Sequence, residues 1–371
     1  MKHKKPQVLI IQPIVPHYRE PFFRLLAASD YIDVTVAYGE ADKNASLQSI
    51  SSGINFRTRK LKNLFYSPKY PFYLQFGLLS AIMSRRYDTI IACFEIRAIS
   101  SMLAYPIARL FGIKWIWWGH GIGHGESSLS RKIRLAALRK SSALILYDAE
   151  RGEKFISWGV PREKVFIAWN SIDMSDIESL RQEFTSDRYR ILYIGRLIKM
   201  KKVDLAIQAF AKAVDRLDER IILTIIGDGP EKQTLIDLAA DLNISNRVEF
   251  IGALYDQKSL SELFNTSLVS ISPGGIGLSC MHSFGYGIPV IVADNEPHGP
   301  EFSAIKDHYN GRIFRSDDVE DFANTIIDML VNFPLLSNMS INALKTISEK
   351  YNLANMASAF EDAVRYAHRK D

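Results

Sequence analysis

Gly274, Gly275 and Gly277 follow an apolar run (268–272, LVSIS) whose Val269 and Ile271 suit a buried strand. Glycine lets a backbone turn sharply and come close to a ligand. Residues 278–286 then carry a short helical pattern, with Gly287 and Pro289 to end it. A glycine loop opening onto a helix start aims N–H groups and partial positive charge at one place, which suits an anion such as phosphate. Alone, such a loop reads first as a tight connection between packed elements. Two cations shift that balance. Arg196 and Lys201 stand beyond a second apolar run, 190–193. Arginine binds diphosphate oxygens in pairs and lysine adds a mobile point charge. Lys199 and Lys202 are close by, so the run by itself also fits a solvated surface. Together, the cations and the glycine loop could hold a diphosphate from opposite sides.

The elements that must position these groups alternate along the chain. Strand patterns at 7–14, 32–38, 56–61, 89–93, 114–118, 143–147 and 164–168 are separated by helical patterns at 22–28, 68–86, 99–111, 131–140 and 150–158. A polar stretch of weak pattern follows. The alternation then restarts with strands at 190–193, 221–226, 248–251, 268–272, 289–293 and 311–314. Helices are expected at 203–217, 231–242, 258–264, 278–286, 319–332, 335–351 and 355–369. Such alternation predicts parallel sheets covered on both faces. The fold class is α/β, with two doubly wound domains whose strand ends face a ligand cleft. The expected division is a first domain over 1–172, a linker over 173–188, a second domain over 189–350, and a C-terminal helix over 351–371 that is a candidate to pack back on the first domain.

Composition removes several classes. The 371 residues suit two cores, and 47% hydrophobic with 23% charged residues is ordinary for a globular protein. Cys93 and Cys280 stand alone and far apart, which fits a reducing compartment and neither a disulfide framework nor a zinc site. The basic start and short apolar run of MKHKKPQVLIIQP read as a first strand rather than a leader. No apolar window approaches the roughly 18 residues of a membrane span. Residues 1–183 carry ten more basic than acidic side chains, and the remainder five more acidic than basic. That asymmetry fits an anionic membrane surface or polyanionic partner as well as ordinary solvated charge. No nucleic-acid module is recognisable, so no nucleic acid is expected.

The order of motifs resembles the family 4 glycosyltransferases. The segments are GRLIKMKKVDLAIQAF (195–210), IIGDGPEKQTLIDLA (225–239), RVEFIGALYD (247–256), SPGGIGLSCMHSFGYGIPVIVA (272–293) and PEF (300–302). Upstream, GVPREKVFIAWNSID (159–173), WGHG (118–121) and PHYREPFF (16–23) also have counterparts there. The resemblance implies the GT-B architecture, two Rossmann-like doubly wound domains facing a central cleft. It implies retaining sugar transfer from a nucleoside-diphosphate sugar, a UDP-sugar or a GDP-sugar, with no cofactor and no required metal. Arg196 and Lys201 match the positions that hold the diphosphate, and Gly195 lets the backbone approach. Ala253 and Leu254 match the base site, and Gly275, Ile276, Gly277 and Leu278 the phosphate and sugar loop. His120 matches a region near the reacting sugar, or simply packs under its turn. Glu301 orients the donor loop or caps a helix.

This sequence departs from the family at one point. Gly274 and His282 stand where two glutamates, with seven residues between them, are usual. Gly274 offers only backbone, whereas His282 could hydrogen-bond ribose or merely pack on its helix. The departure keeps a non-catalytic nucleotide-sugar-binding partner subunit and a nucleotide-sugar epimerase as alternatives.

The first domain is expected to hold a saccharide or lipid-linked saccharide acceptor. His17, Tyr18 and Arg19 are its candidate contacts, with Arg19 facing an acceptor phosphate or Glu20. Lys60, Lys62, Lys69, Arg85 and Arg86 interleave with Phe65, Tyr66, Tyr70, Phe72 and Tyr73, and a basic segment follows at 131–140. Mixed basic and aromatic residues suit an anionic bilayer interface. The expected location is cytoplasmic, peripheral at the inner face of the cell membrane, in surface polysaccharide synthesis.

Overall fold

A computed structural model describes residues 4–41, 49–50, 53–66, 72–95, 97–121 and 128–369. The chain forms two compact units, Met1–Asp173 with Leu353–Asp371, and Met174–Asn352.

The first unit contains β1 (Gln7–Gln12), α1 (Glu20–Ala27), β2 (Asp33–Tyr38), β3 (Arg57–Lys60), β4 (Lys62–Leu64), β5 (Leu74–Phe76) and α2 (Leu78–Met83). It continues with β6 (Thr89–Cys93), α3 (Ile99–Leu110), β7 (Lys114–Gly119), α4 (Ser128–Lys140), β8 (Ala143–Leu146), α5 (Ala149–Ser157) and β9 (Val165–Ile167). Its main sheet is parallel, in the order β3-β2-β1-β6-β7-β8-β9. Strands buried on both faces read as continuous apolar runs, as Val8–Ile11 do here. Asp148 caps α5 by accepting the N–H of Arg151 at 2.8 Å.

The second unit contains α6 (Ser175–Leu180), β10 (Arg190–Ile194), α7 (Val203–Ala213), β11 (Ile222–Ile226), α8 (Lys232–Asp241), β12 (Val248–Gly252) and α9 (Gln257–Asn265). There follow β13 (Ser267–Ser272), α10 (Ser279–Gly285), β14 (Val290–Ala293), β15 (Gly311–Phe314), α11 (Val319–Leu330) and α12 (Phe333–Glu349). Its parallel sheet runs β12-β11-β10-β13-β14-β15. The order reverses between β10 and β13, where doubly wound sheets bind ligands beyond their carboxyl ends. Both units are thus Rossmann-like. The polar stretch 173–188 is not featureless, since it carries α6 and the buried Arg188. The Arg188 guanidinium donates to the carbonyls of Gln182, Glu183, Phe264 and Ser267.

The last helix, α13 (Leu353–Ala367), packs in the first unit on the face that carries α1. Phe360 meets Phe22 at 5.0 Å and Trp118 at 4.8 Å between ring centroids. His368 Nε2 lies 2.7 Å from the buried Thr89 hydroxyl.

One helix expected from the sequence is not there. Within 68–86 the described residues form strand β5, antiparallel to β4, and the short α2. Gly77 separates them at φ +93, a left-handed conformation that interrupts a continuous helix. The side chain of Gln75 is buried and donates to Gln12 O and Asn63 Oδ1, which anchors the strand. Lys69 and Tyr70 lie outside the described residues.

Candidate functional site

Beyond the carboxyl ends of β10, β11 and β12, three loops are laced by their backbones. Gly195 N–H donates to Ile226 O at 3.0 Å, and Gly227 N–H donates to Gly252 O at 2.8 Å. Leu197 N–H donates to Asp228 O at 2.9 Å. No side chain fits between them. A Cβ on Gly227 (φ +151) would fall 1.8 Å from Gly195 O, and one on Gly229 (φ +159) 2.2 Å from Leu197 O. These two glycines were legible as a Gly-Asp-Gly-Pro stop after a strand, but nothing in that pattern marks them as packing under the Arg196 loop. Ala253 and Leu254 follow β12 directly, with Ala253 exposed and Leu254 half-buried.

Across the reversal point, the glycine loop after β13 lies between two other segments. A Cβ on Gly274 would fall 2.5 Å from Met200 O and 2.8 Å from Lys201 Cα. A Cβ on Gly275 would fall 2.5 Å from Pro297 O, beyond β14. Gly277, by contrast, faces open space. Lys201 Nζ donates to Gly275 O. Burial first, and the Arg196 charge second, lower the Lys201 pKa, while Glu301 opposes them. The two predicted cations therefore converge, with Arg196 exposed and Lys201 half-buried. Ile276 and Leu278 complete the loop, which leads into α10.

Glu301 is buried in the turn Pro300–Ala304. Its carboxylate lies against the Cα of Gly299, where a Cβ would meet Oε2 at 2.3 Å. Gly299 N–H in turn donates to Ile276 O at 2.7 Å, so Glu301 lies behind the glycine loop. His282 is half-buried on α10, its ring 6.5 Å from Phe264 and nearly parallel to it. One residue escaped the sequence reading. His298 accepts the N–H of Ile276 through Nδ1 at 3.2 Å and stacks on Phe302 at 4.1 Å. Its only sequence signal is a place in the Pro-His-Gly-Pro turn between β14 and Glu301.

In the first unit, His120 follows β7 between Gly119 (φ +149) and Gly121 (φ +79). A Cβ on Gly121 would lie 2.5 Å from the Phe155 ring. The His120 ring keeps an exposed rim and lies 4.9 Å from the Tyr147 ring. Desolvation, then the Arg151 and Arg19 charges, push its pKa down to about 4, with Asp148 opposing. Arg19 differs from expectation. It is buried, with neutral partners in Asn170 Oδ1, Ser171 O at 3.4 Å and Tyr147 OH at 3.5 Å, and it stacks near Tyr18, Trp118 and Tyr147. Glu20 instead pairs with Arg24 at 3.4 Å. His17 is exposed and Tyr18 half-buried, 6.3 Å apart between ring centroids.

Comparison with known proteins bears on the fold and on the second unit. Residues 176–346 match the family model "Glycosyl transferases group 1". The chain is 24% identical over 345 residues to N-acetyl-alpha-D-glucosaminyl L-malate synthase of Bacillus anthracis, covering 86% of this chain and 89% of that protein. It is 24% identical over 184 residues to the lipopolysaccharide core biosynthesis glycosyltransferase LpsE of Rhizobium meliloti, about half of each (50% and 52%). Among solved structures, Anabaena Alr3699/HepE in complex with UDP superposes with a TM-score of 0.69 at 16% identity, over 97% of this chain and 99% of that one. That likeness establishes the fold, and the family match lies on the unit that holds the glycine loop, Arg196 and Lys201. Residues 176–346 thus match the group 1 glycosyl transferases, and the chain as a whole has the fold of the solved GT-B structures.

Proposed function

We propose that this protein is a retaining glycosyltransferase that moves a hexose-type sugar from a nucleoside-diphosphate sugar to a saccharide or lipid-linked saccharide in surface polysaccharide synthesis. The observation that carries the reading is the convergence of Arg196, Lys201 and the 274–278 loop where the second sheet reverses its order. The structure with UDP and the lipopolysaccharide relative support the donor and the pathway class.

On this reading Arg196 and Lys201 neutralise the leaving diphosphate, a task that preorganised cations perform without a required metal. Gly195 and the 275–278 backbone approach the phosphates and sugar. Ala253 and Leu254 border the base, His282 meets the ribose, and Glu301 braces the loop. The bond from the sugar C1 to the diphosphate oxygen breaks as the bond to the acceptor oxygen forms on the same face. The acceptor hydroxyl proton passes to the departing phosphate oxygen. His120, neutral near pH 7, offers one ring donor and one ring acceptor to sugar hydroxyls. His17 and Tyr18 contact the acceptor, whereas Arg19 holds their loop from beneath.

The exposed apolar side chains of α2 and α3, beside Arg85, Arg86 and Arg109, suit peripheral attachment to an anionic membrane. Among the described residues no helix is long and apolar enough to cross one.

The test is release of nucleoside diphosphate from UDP- and GDP-sugars, with and without a membrane lipid extract. Release that needs the extract, from one donor, is expected, with the anomeric configuration kept in the product. Conversion of the donor without any acceptor would indicate an epimerase. Binding without turnover would indicate a non-catalytic partner.

A further inference from the structure

The carbonyl of Gly275 and the N–H of Ile276 belong to one peptide group, and that group is held at both ends. Lys201 Nζ donates to its oxygen, and His298 Nδ1 accepts from its nitrogen at 3.2 Å. The two clamping residues come from different loops, one after β10 and one after β14. Each is itself fixed. Lys201 ends the 3-10 turn Lys199–Lys201 onto which Gly274 packs, and the His298 ring is stacked on Phe302 with the planes 4° apart. A peptide plane pinned in this way cannot rotate, so the backbone on either side of it, Gly274 and Gly277, is aimed as well.

We propose that His298 is a positioning residue of the donor loop: as a neutral hydrogen-bond acceptor it sets, with Lys201, the plane of the 275–276 peptide and hence the loop surface offered to the donor phosphates. The part concerning phosphates rests on the donor reading above; the clamp itself does not. The hydrogen bond also fixes the tautomer. Nδ1 must carry the lone pair, so the ring proton is on Nε2. A protonated ring would turn a second N–H toward that of Ile276, and the clamp would open. Burial is the main cause that lowers the ring pKa. The Lys201 charge acts the same way, while the Ala293 backbone and the Glu296 and Asp294 carboxylates act against it. The clamp is therefore whole at neutral pH and is lost as pH falls through that lowered pKa.

The test uses the full chain with His298→Asn, His298→Gln and His298→Phe. Asparagine places its oxygen near the position of Nδ1, glutamine reaches instead to that of Nε2, and phenylalanine keeps the stack on Phe302 without an acceptor. Two quantities are read: exchange of the Ile276 amide proton in the ligand-free protein, and affinity for UDP and GDP from pH 8 to pH 5. The expected result is that H298N stays within about threefold of the parent in both. H298Q and H298F should exchange faster and bind about tenfold more weakly, about one net hydrogen bond. The loss of affinity on the acid side should disappear in H298N. Equal behaviour of the Asn, Gln and Phe variants would overturn the proposal. If the parent binds neither nucleotide, the donor reading fails. Amide exchange then decides the clamp: protection kept only in H298N sustains it, and equal exchange in all three variants overturns it.

Discussion

The ammonium of Lys201 donates to the carbonyl oxygen of Gly275, across the point where the strand order of the second sheet reverses. The cation is thus held against the loop that the donor reading assigns to the phosphates. Arg196 is exposed beside it and makes no such bond to the loop. The two cations should therefore fail differently. Replacing either Lys201 or Arg196 by methionine removes a charge-assisted contact worth about 1.5–3 kcal/mol, so nucleotide affinity should fall roughly tenfold to a hundredfold. Only Lys201→Met should also lower the melting temperature, because only Lys201 braces the loop. Calorimetric titration with UDP and GDP, with thermal melts of both variants, reads this out. Nucleotide affinity unchanged in Lys201→Met would sink the assignment.

Gly274 is closed to any side chain, since its Cα is backed by Met200 O and Lys201 Cα. A glutamate, which the family resemblance leads one to expect at this position, would thus meet backbone here. Gly274→Glu should not restore a family feature. It should behave as an overpacked site, costing about 1–3 kcal/mol or more and displacing Lys201. Gly274→Ala should show the same direction with a smaller loss. Full nucleotide binding and an unchanged melting temperature in Gly274→Glu would contradict this packing argument.

Much of the fold is legible in the sequence, and the reasons are local. The runs at 7–12, 190–194 and 267–272 are apolar because parallel strands are covered on both faces, and each ends at glycine, proline or a charge. Arg196, Lys201 and the glycine loop could be placed together because strand ends converge where a doubly wound order reverses. What escaped was set by contacts distant in sequence. His298 looks like any turn histidine until Ile276 is placed against it. Arg19 looks like a surface ligand until Asn170 and Ser171 come to meet it from after β9. The stretch 68–86 is apolar enough to suggest a long helix, yet Gly77 and the pairing of β5 with β4 divide it. Apolar periodicity cannot report a strand partner in another segment.

His120 is held neutral by its surroundings, and this has a pH signature. Its pKa of about 4 lies below the ordinary 6.5, so between those values the unfolded chain binds more protons than the folded one. Its contribution to stability is whole above about pH 6.5 and is lost as pH falls toward 4. The exposed rim of the ring keeps the size of the effect small. His120→Asn keeps polar contact and removes the titration, so its melting temperature should fall less than that of the parent between pH 6.5 and pH 4.5. If His120 also meets sugar hydroxyls, kcat should drop in this variant with little change in nucleotide affinity. Parallel melting curves against pH for the two proteins would show that the ring is not desolvated in the folded chain.

The exposed side chains of Phe76, Leu79 and Leu103 line one shallow groove between β5, α2 and α3, and Met83 extends the apolar surface along α2. Arg85 and Arg86 follow α2 directly, and Arg109 lies near the end of α3. Isolated exposed apolar residues are ordinary, but several on adjoining elements beside like charges suit a bilayer interface. The other expected basic segment contributes less, because Arg134 is turned inward over Phe94 and Arg139 donates to Trp158 O. Tyr73, expected at the interface, is also buried. The contact should therefore centre on α2 and α3. Replacing Leu79, Met83 and Leu103 together by serine should weaken binding to vesicles rich in anionic lipid by about tenfold or more, at roughly 0.8 kcal/mol per buried CH₂ lost. The melting temperature should stay nearly unchanged, since these side chains are exposed in the folded chain. Charge reversal at Arg85 and Arg86 should weaken binding at low salt and matter less as the Debye length shortens. Flotation with neutral and anionic vesicles measures both effects. Absence of binding to anionic vesicles at low salt would remove the membrane reading and leave the groove as an unexplained apolar surface.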